Sequence, residues 1–193
     1  MARYRQQLPQ LSDDIFITDG GLETTLVFHD GLDLPHFAAF DVLRQPDGEQ
    51  RMRAYFKRYI DLAKKHGVGI ILESPTWRAS ADWGRLLGYS PLELAEANRK
   101  SIALLAEMRD ALETRQSRIV ISGCLGPRGD GYNTSELLSP PEAEAKHAEQ
   151  NETFSETESD ILCAITITQA EEAIGIVRAA TRTGMPVAVS FTV

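Results

Sequence analysis

GMPVAVSFTV, Gly184–Val193, is the stretch on which the fold turns. From Pro186 to Val193 nearly every residue is apolar or β-branched, the pattern of a strand buried on both faces in a parallel sheet. In α/β folds, loops at the C-terminal ends of such strands carry the chemistry. A run of this kind at the end of the sequence predicts a strand that belongs to a larger sheet. The number and order of the strands before it decide which sheet that is.

Working back from it, four more β-branched runs stand out: Ile15–Thr18, Val68–Leu72, Arg118–Ser122 and Asp160–Ile165. Helical patterns lie between them. Met52, Tyr55, Phe56, Tyr59, Ile60 and Ala63 recur at helical spacing, and Ile102, Leu105, Met108 and Leu112 make a second stripe. SPLE (Ser90–Glu93) and SPPE (Ser139–Glu142) read as capping boxes with proline at the first helical position, and TQAE (Thr168–Glu171) as a box without it. Gly67 and Gly184 stand where the first and last helices should end. The order is β-α-β-α-β-α-β-α-β, which predicts parallel strands with right-handed crossovers. Two architectures fit. One is a complete five-stranded doubly wound sheet; the other is a (β/α)8 TIM barrel truncated after strand five.

With 193 residues, 42% hydrophobic and 25% charged, the chain is long enough to build a real core. Its formal net charge of −8 excludes the basic footprint that nucleic acid or an anionic membrane surface selects. No apolar run is long enough to span a bilayer, and the N-terminus lacks the apolar core of a signal peptide. Two cysteines, Cys124 and Cys163, make no disulfide framework, so a cytoplasmic protein is expected.

The strand ends carry the candidate site. After the first strand comes TDGGLETTL, with Asp19 at the end and Gly20 and Gly21 allowing close approach of a ligand; Asp-Gly-Gly is also ordinary tight-turn chemistry. After the second comes ESPTWRAS (Glu73–Ser80), in which Trp77 and Arg78 suit an apolar wall and an anion contact, although Trp77 suits rim packing equally well. After the third, GCLGPRGDGY (Gly123–Tyr132) holds four glycines and must lie close to ligand or backbone. Cys124 has no Cys-His motif beside it and reads as a small buried thiol. In the acidic third helix Ala143, His147, Gln150 and Phe154 share one side, where a histidine reads as a hydrogen-bonded core residue. His29, His36, His66 and His147 show no zinc spacing, and no metal centre can be assembled from this sequence.

TDGGLETTL, PTWRAS, GCLGPRGDGY and MPVAVSFTV, in that order at strand ends, resemble the homocysteine S-methyltransferase family from about residue 15 to residue 193. The resemblance implies that residues 1–193 are the N-terminal portion of a single (β/α)8 domain, and that the intact protein transfers a methyl group to the thiol of homocysteine or a related acceptor. It implies zinc, held by cysteine thiolates after strands six and eight that are not in this chain; Cys124 and Cys163 do not align with them. Asp19, Gly20 and Gly21 would cradle the amino-acid end of the acceptor, with Thr76, Trp77 and Arg78 around it. The partners implied are a small-molecule thiol acceptor and a methyl donor, and the open edges of strands one and five favour a homo-oligomer.

Three positions depart from the family pattern. Ile165-Thr166 stands where many members have Glu-Thr, and isoleucine cannot receive an ammonium group. Arg78 occupies the place of a glutamine or tyrosine. Thr25 replaces a frequent acidic residue, with Glu23 two places earlier. A more anionic acceptor would suit Arg78. Two other readings remain: a non-catalytic small-molecule-binding α/β domain, and a metal-free enzyme using Asp19, Glu73 and Arg78 for acid-base work.

Overall fold

The structure is a computed structural model that describes residues 1–132 and 137–192. In chain order it contains β1 (Phe16–Thr18), α1 (Leu22–Thr24) running into a π-helical turn (Thr25–His29), and two 3-10 turns (Pro35–Phe37, Ala39–Arg44). There follow α2 (Gly48–His66), β2 (Gly69–Glu73), α3 (Ala81–Leu86), α4 (Pro91–Leu112) and β3 (Ile119–Leu125). The last elements are α5 (Pro140–Ser155), β4 (Ile161–Ile167), α6 (Ala170–Thr183) and β5 (Val187–Phe191).

All five strands are parallel and hydrogen-bonded in the order β1-β2-β3-β4-β5. A doubly wound sheet reverses its order at a switch point. The unbroken sequential order excludes that alternative, and the sheet is a curled half-barrel of the TIM type.

Local chemistry places the helices. Ser90 and Ser139 form the expected boxes: the backbone amides of Ser90 and Ser139 donate to Glu93 and Glu142 at 2.8 and 2.9 Å. Gly67 and Gly184 close α2 and α6 in the left-handed conformation, at φ 63° and 68°. The third box does not form. The N-cap of α6 is Gln169, one residue beyond Thr168, and its side chain makes no cap bond.

On β2 and β4 burial alternates with the strand period. Ile70, Leu72, Leu162 and Ala164 face the helices and join one solvent-free core with Phe56, Ile60, Leu105 and Ile176. Ile71, Glu73, Ile161, Cys163 and Ile165, on the opposite, concave face, are only half-buried. The central β3 is buried at all seven positions. β5 is not the doubly buried strand its composition predicts: no position in it is fully buried, and Phe191 is 49% exposed. It pairs only with β4 among the described residues. Val193 lies outside the described residues.

The N-terminal segment straps the opposite end of the sheet. Arg5 donates to the carbonyls of Ser155, Thr157 and Ser159 at 2.7–3.0 Å, capping the end of α5. Asp160, completely buried, accepts from the amides of Tyr4 and Ile121 and from Arg109 at 2.9 Å. No helix among the described residues is long and apolar enough to cross a membrane.

Candidate functional site

A cavity of about 450 Å³ opens at the C-terminal ends of the strands. Its lining includes Asp19, Gly20, Gly21 and Glu23 after β1, Glu73, Trp77 and Arg78 after β2, Cys124 and Tyr132 from β3 and its loop, and Ile165 and Thr166 at β4. Five of the six expected site residues therefore meet in one place. The sixth, Thr76, stands behind the wall. It is fully buried, its hydroxyl 2.6 Å from that of Ser74 and donating to the Cys124 carbonyl at 2.8 Å, which ties the β2 loop to β3.

The β1 loop is held from below by α2. Gly21 takes φ 68° to start α1, a conformation that disfavours a side chain. The hydroxyls of Tyr55 and Tyr59 donate to the Gly20 carbonyl at 2.9 and 2.6 Å, and Tyr55 is also 3.1 Å from the Asp19 carboxylate. These tyrosines sit on the apolar stripe of α2, so their spacing reads as core and nothing in it announces the polar tips. Asp19 also accepts from the Glu73 amide at 2.9 Å. Burial raises Asp19 to about 6 and Glu73 to about 7, the neighbouring Asp19 adding to the latter. Glu23 is raised too, first by burial.

Trp77 forms the wall the sequence suggests. Its indole donates to the Thr166 hydroxyl at 3.0 Å. Thr166 is a β-branched residue at φ 56°, a strained conformation, where the pairing of β4 with β5 shifts between Ala164 and Ile167. The glycine-rich loop closes on this indole. A Cβ at Gly126 would lie 2.2 Å from the Trp77 carbonyl oxygen, and one at Gly131 would lie 3.2 Å from the ring.

Arg78 is 5% exposed. Its guanidinium carbon sits 3.9 Å from the Trp77 ring centroid and 3.8 Å from that of Trp83, so two indoles sandwich it. Trp83, six residues from Trp77, is the partner that sequence reasoning missed. One bond, from Nη1 to the Gly129 carbonyl at 3.1 Å, ties the guanidinium to the glycine-rich loop. Burial lowers Arg78 to about 10. Behind this loop, His147 bridges Arg128 and Glu172 at 2.8 and 2.9 Å, as a buried hydrogen-bonded histidine, and burial lowers it to about 4.

Cys124 and Cys163 are register partners on β3 and β4, and both are free. Burial, then the nearby Glu73, pushes both thiols up. Among the described residues no three His, Cys, Asp or Glu side chains are placed to hold a metal ion.

No curated protein sequence matches this chain. Among solved structures, it is similar to the homocysteine methyltransferase MmuM from Escherichia coli in its oxidised form, with 18% identity and a TM-score of 0.76 over 96% of this chain and 64% of that one. The metallated form of MmuM gives 16% identity and a TM-score of 0.75, over 97% and 66%. The chain thus spans about two thirds of the length of these neighbours. The homocysteine S-methyltransferase family pattern matches residues 16–193, from β1 to β5 with every loop of the cavity between them, and the chain belongs to that family.

Proposed function

We propose that this chain carries the acceptor-binding half of a methyltransferase acting on the thiol of homocysteine or a related amino-acid thiol. The carrying observation is the single cavity in which Asp19, Gly20, Gly21, Trp77 and Arg78 converge at the strand ends of a family member. Ile165 cannot receive an ammonium group, but Asp19, Glu23 and Glu73 line the same cavity and can. An ammonium brought among them favours their ionised forms, offsetting the burial that raises them. Trp77 supplies the apolar wall along which the thiol-bearing chain lies. Fixing the acceptor in one orientation is the catalytic contribution this half can make to an in-line displacement.

Zinc is expected for the intact protein, where it would supply a thiolate at neutral pH. The described residues do not fit it. Among the described residues no three His, Cys, Asp or Glu side chains are grouped to hold a metal ion. We assign the metal to residues outside these 193, and expect transfer of a labelled methyl group from a sulfonium donor to homocysteine to stay at background with this chain alone, zinc present. The zinc content of the purified chain, after dialysis against a weak chelator, is expected to be well below one per chain. About one tightly held zinc per chain, or metal-dependent turnover by the chain alone, would overturn this division of labour.

A second reading, metal-free acid-base chemistry, draws on Asp19 at about 6 and Glu73 at about 7 in one cavity with Arg78. Methyl transfer by this chain that survives chelation would favour it.

A further inference from the structure

Arg78 lines the cavity with a charge that, among the described residues, no acidic side chain balances at contact distance. Arg128, also buried and without a carboxylate in an ion pair, has its guanidinium engaged by His147 and Gln150. Arg5 directs its guanidinium into the carbonyls of Ser155, Thr157 and Ser159. Arg109, equally buried, meets Asp160 at 2.9 Å and Glu158 at 3.2 Å. Among the described residues no carboxylate lies within 4 Å of Arg78; Glu23, Asp130 and Tyr132 act on it only from further away. Its Nε is buried without a hydrogen-bond partner, and the bond to Gly129 engages Nη1 alone. Arg109 and Arg128 share that buried Nε, so what sets Arg78 apart is Nη2, which has neither a partner nor complete burial and can donate to a carboxylate oxygen.

The rest of the site holds this group in place. Stacking between Trp77 and Trp83 fixes the guanidinium plane, and the Gly129 carbonyl fixes rotation within it. A flat, oriented, desolvated guanidinium loses little conformational freedom when an anion arrives. A buried charge left without a partner is costly, so an arriving carboxylate gains more here than at an exposed lysine. A glutamine in this place could offer hydrogen bonds but no charge.

We propose that Arg78 is the anion receptor of the cavity, its Nη2 donating to a carboxylate of the bound ligand. The ligand class is then a carboxylate-bearing thiol, held by its acid at Arg78 and by any amine at the carboxylates across the cavity. This rests on reading the cavity as the acceptor site, and the test separates the two.

The sequence contains two tryptophans, and both stack on Arg78, so intrinsic fluorescence reports on this locus alone. Under reducing conditions the chain is titrated with L-homocysteine, with L-homocysteinamide, which lacks the carboxylate charge, and with L-2-aminobutyrate, which lacks the thiol. The acid is expected to bind about tenfold or more tighter than the amide, and Arg78→Gln to bring that ratio towards one. Equal binding of acid and amide, no saturable response to either, or a folded Arg78→Gln that keeps the ratio would overturn the proposal. The comparison on the parent chain decides even if the variant fails to fold. Equal binding of homocysteine and aminobutyrate, both over the amide, would sink the thiol-acceptor reading and support Arg78 as the receptor.

Discussion

Asp19 and Glu73 are joined by a 2.9 Å hydrogen bond from the Glu73 amide to the Asp19 carboxylate, so two acidic side chains from neighbouring strands share one cavity. Both are raised, to about 6 and about 7, with burial the main cause. The folded chain therefore holds protons that the unfolded chain has released between about pH 4 and 7. The stability this contributes is fully present below about pH 4 and is lost as pH rises through about 6 for Asp19 and about 7 for Glu73. Glu73→Gln removes one of the two ionisations. Relative to the parent, it should gain on the order of 2–3 kcal/mol in stability between pH 4.5 and 7.5. Urea unfolding at the two pH values checks this, and a constant offset between variant and parent would refute it.

At the opposite end of the sheet, Arg109 and Asp160 form an ion pair at 2.9 Å with both side chains at most 1% exposed. Asp160 also receives the Tyr4 and Ile121 amides. Asp160→Ala leaves a buried guanidinium and two unpaired amides, and should cost about 3–5 kcal/mol. Asp61→Ala, at an exposed Lys57–Asp61 pair, should cost less than about 1 kcal/mol. Equilibrium denaturation measures both, and similar losses would mean that the strap is not anchored through Asp160.

Much of this fold is written in short-range chemistry, which is why it can be read without coordinates. Ser90 and Ser139 carry their own cap partners three residues on, and Gly67 and Gly184 carry the left-handed turn. The box at Thr168 fails because the helix starts one residue later, with Gln169 as N-cap, and a four-residue motif does not fix that starting point. The composition of β5 correctly marks a strand, but burial depends on what lies beside it, which composition does not tell. Within the site, residues next to a strand end in sequence were legible: Asp19, Gly20, Gly21, Trp77, Arg78. Thr76 was not, since its hydroxyl is engaged by Ser74 and the Cys124 carbonyl, which its place beside Trp77 does not announce. Nor were Tyr55, Tyr59 and Trp83, whose polar or stacking contacts hide inside patterns that also describe plain core.

Gly126 has no room for a methyl group, with the Trp77 carbonyl oxygen 2.2 Å from where a Cβ would stand. Backbone cannot yield as a flexible side chain can, so Gly126→Ala should push the Trp77 segment away and break its bond to Thr166. A red-shifted tryptophan emission and a homocysteine response weakened at least severalfold are expected. Gly88→Ala, also on a loop but remote from the cavity and with open space around it, should cost stability through its φ of 77° and leave the emission unchanged. Unaltered emission and binding in Gly126→Ala would show that the loop does not hold Trp77.

The two thiols give the last test, because their reactivity separates a structural role from a chemical one. The thiolate is the form that attacks an alkylating agent. Cys124 is 2% exposed, Cys163 lies beside it on β4, and burial with the nearby Glu73 pushes both thiols up. At pH 7.5 the native chain should therefore react with iodoacetamide far more slowly than free cysteine, by a factor of about a hundred or more, while urea restores ordinary rates at both sites. Cys124→Ser and Cys163→Ser should leave the homocysteine response within about twofold of the parent, since neither thiol is assigned a ligand contact. Fast labelling of one native thiol, protected by homocysteine, would instead place that sulfur in working contact with the ligand and make it a candidate nucleophile.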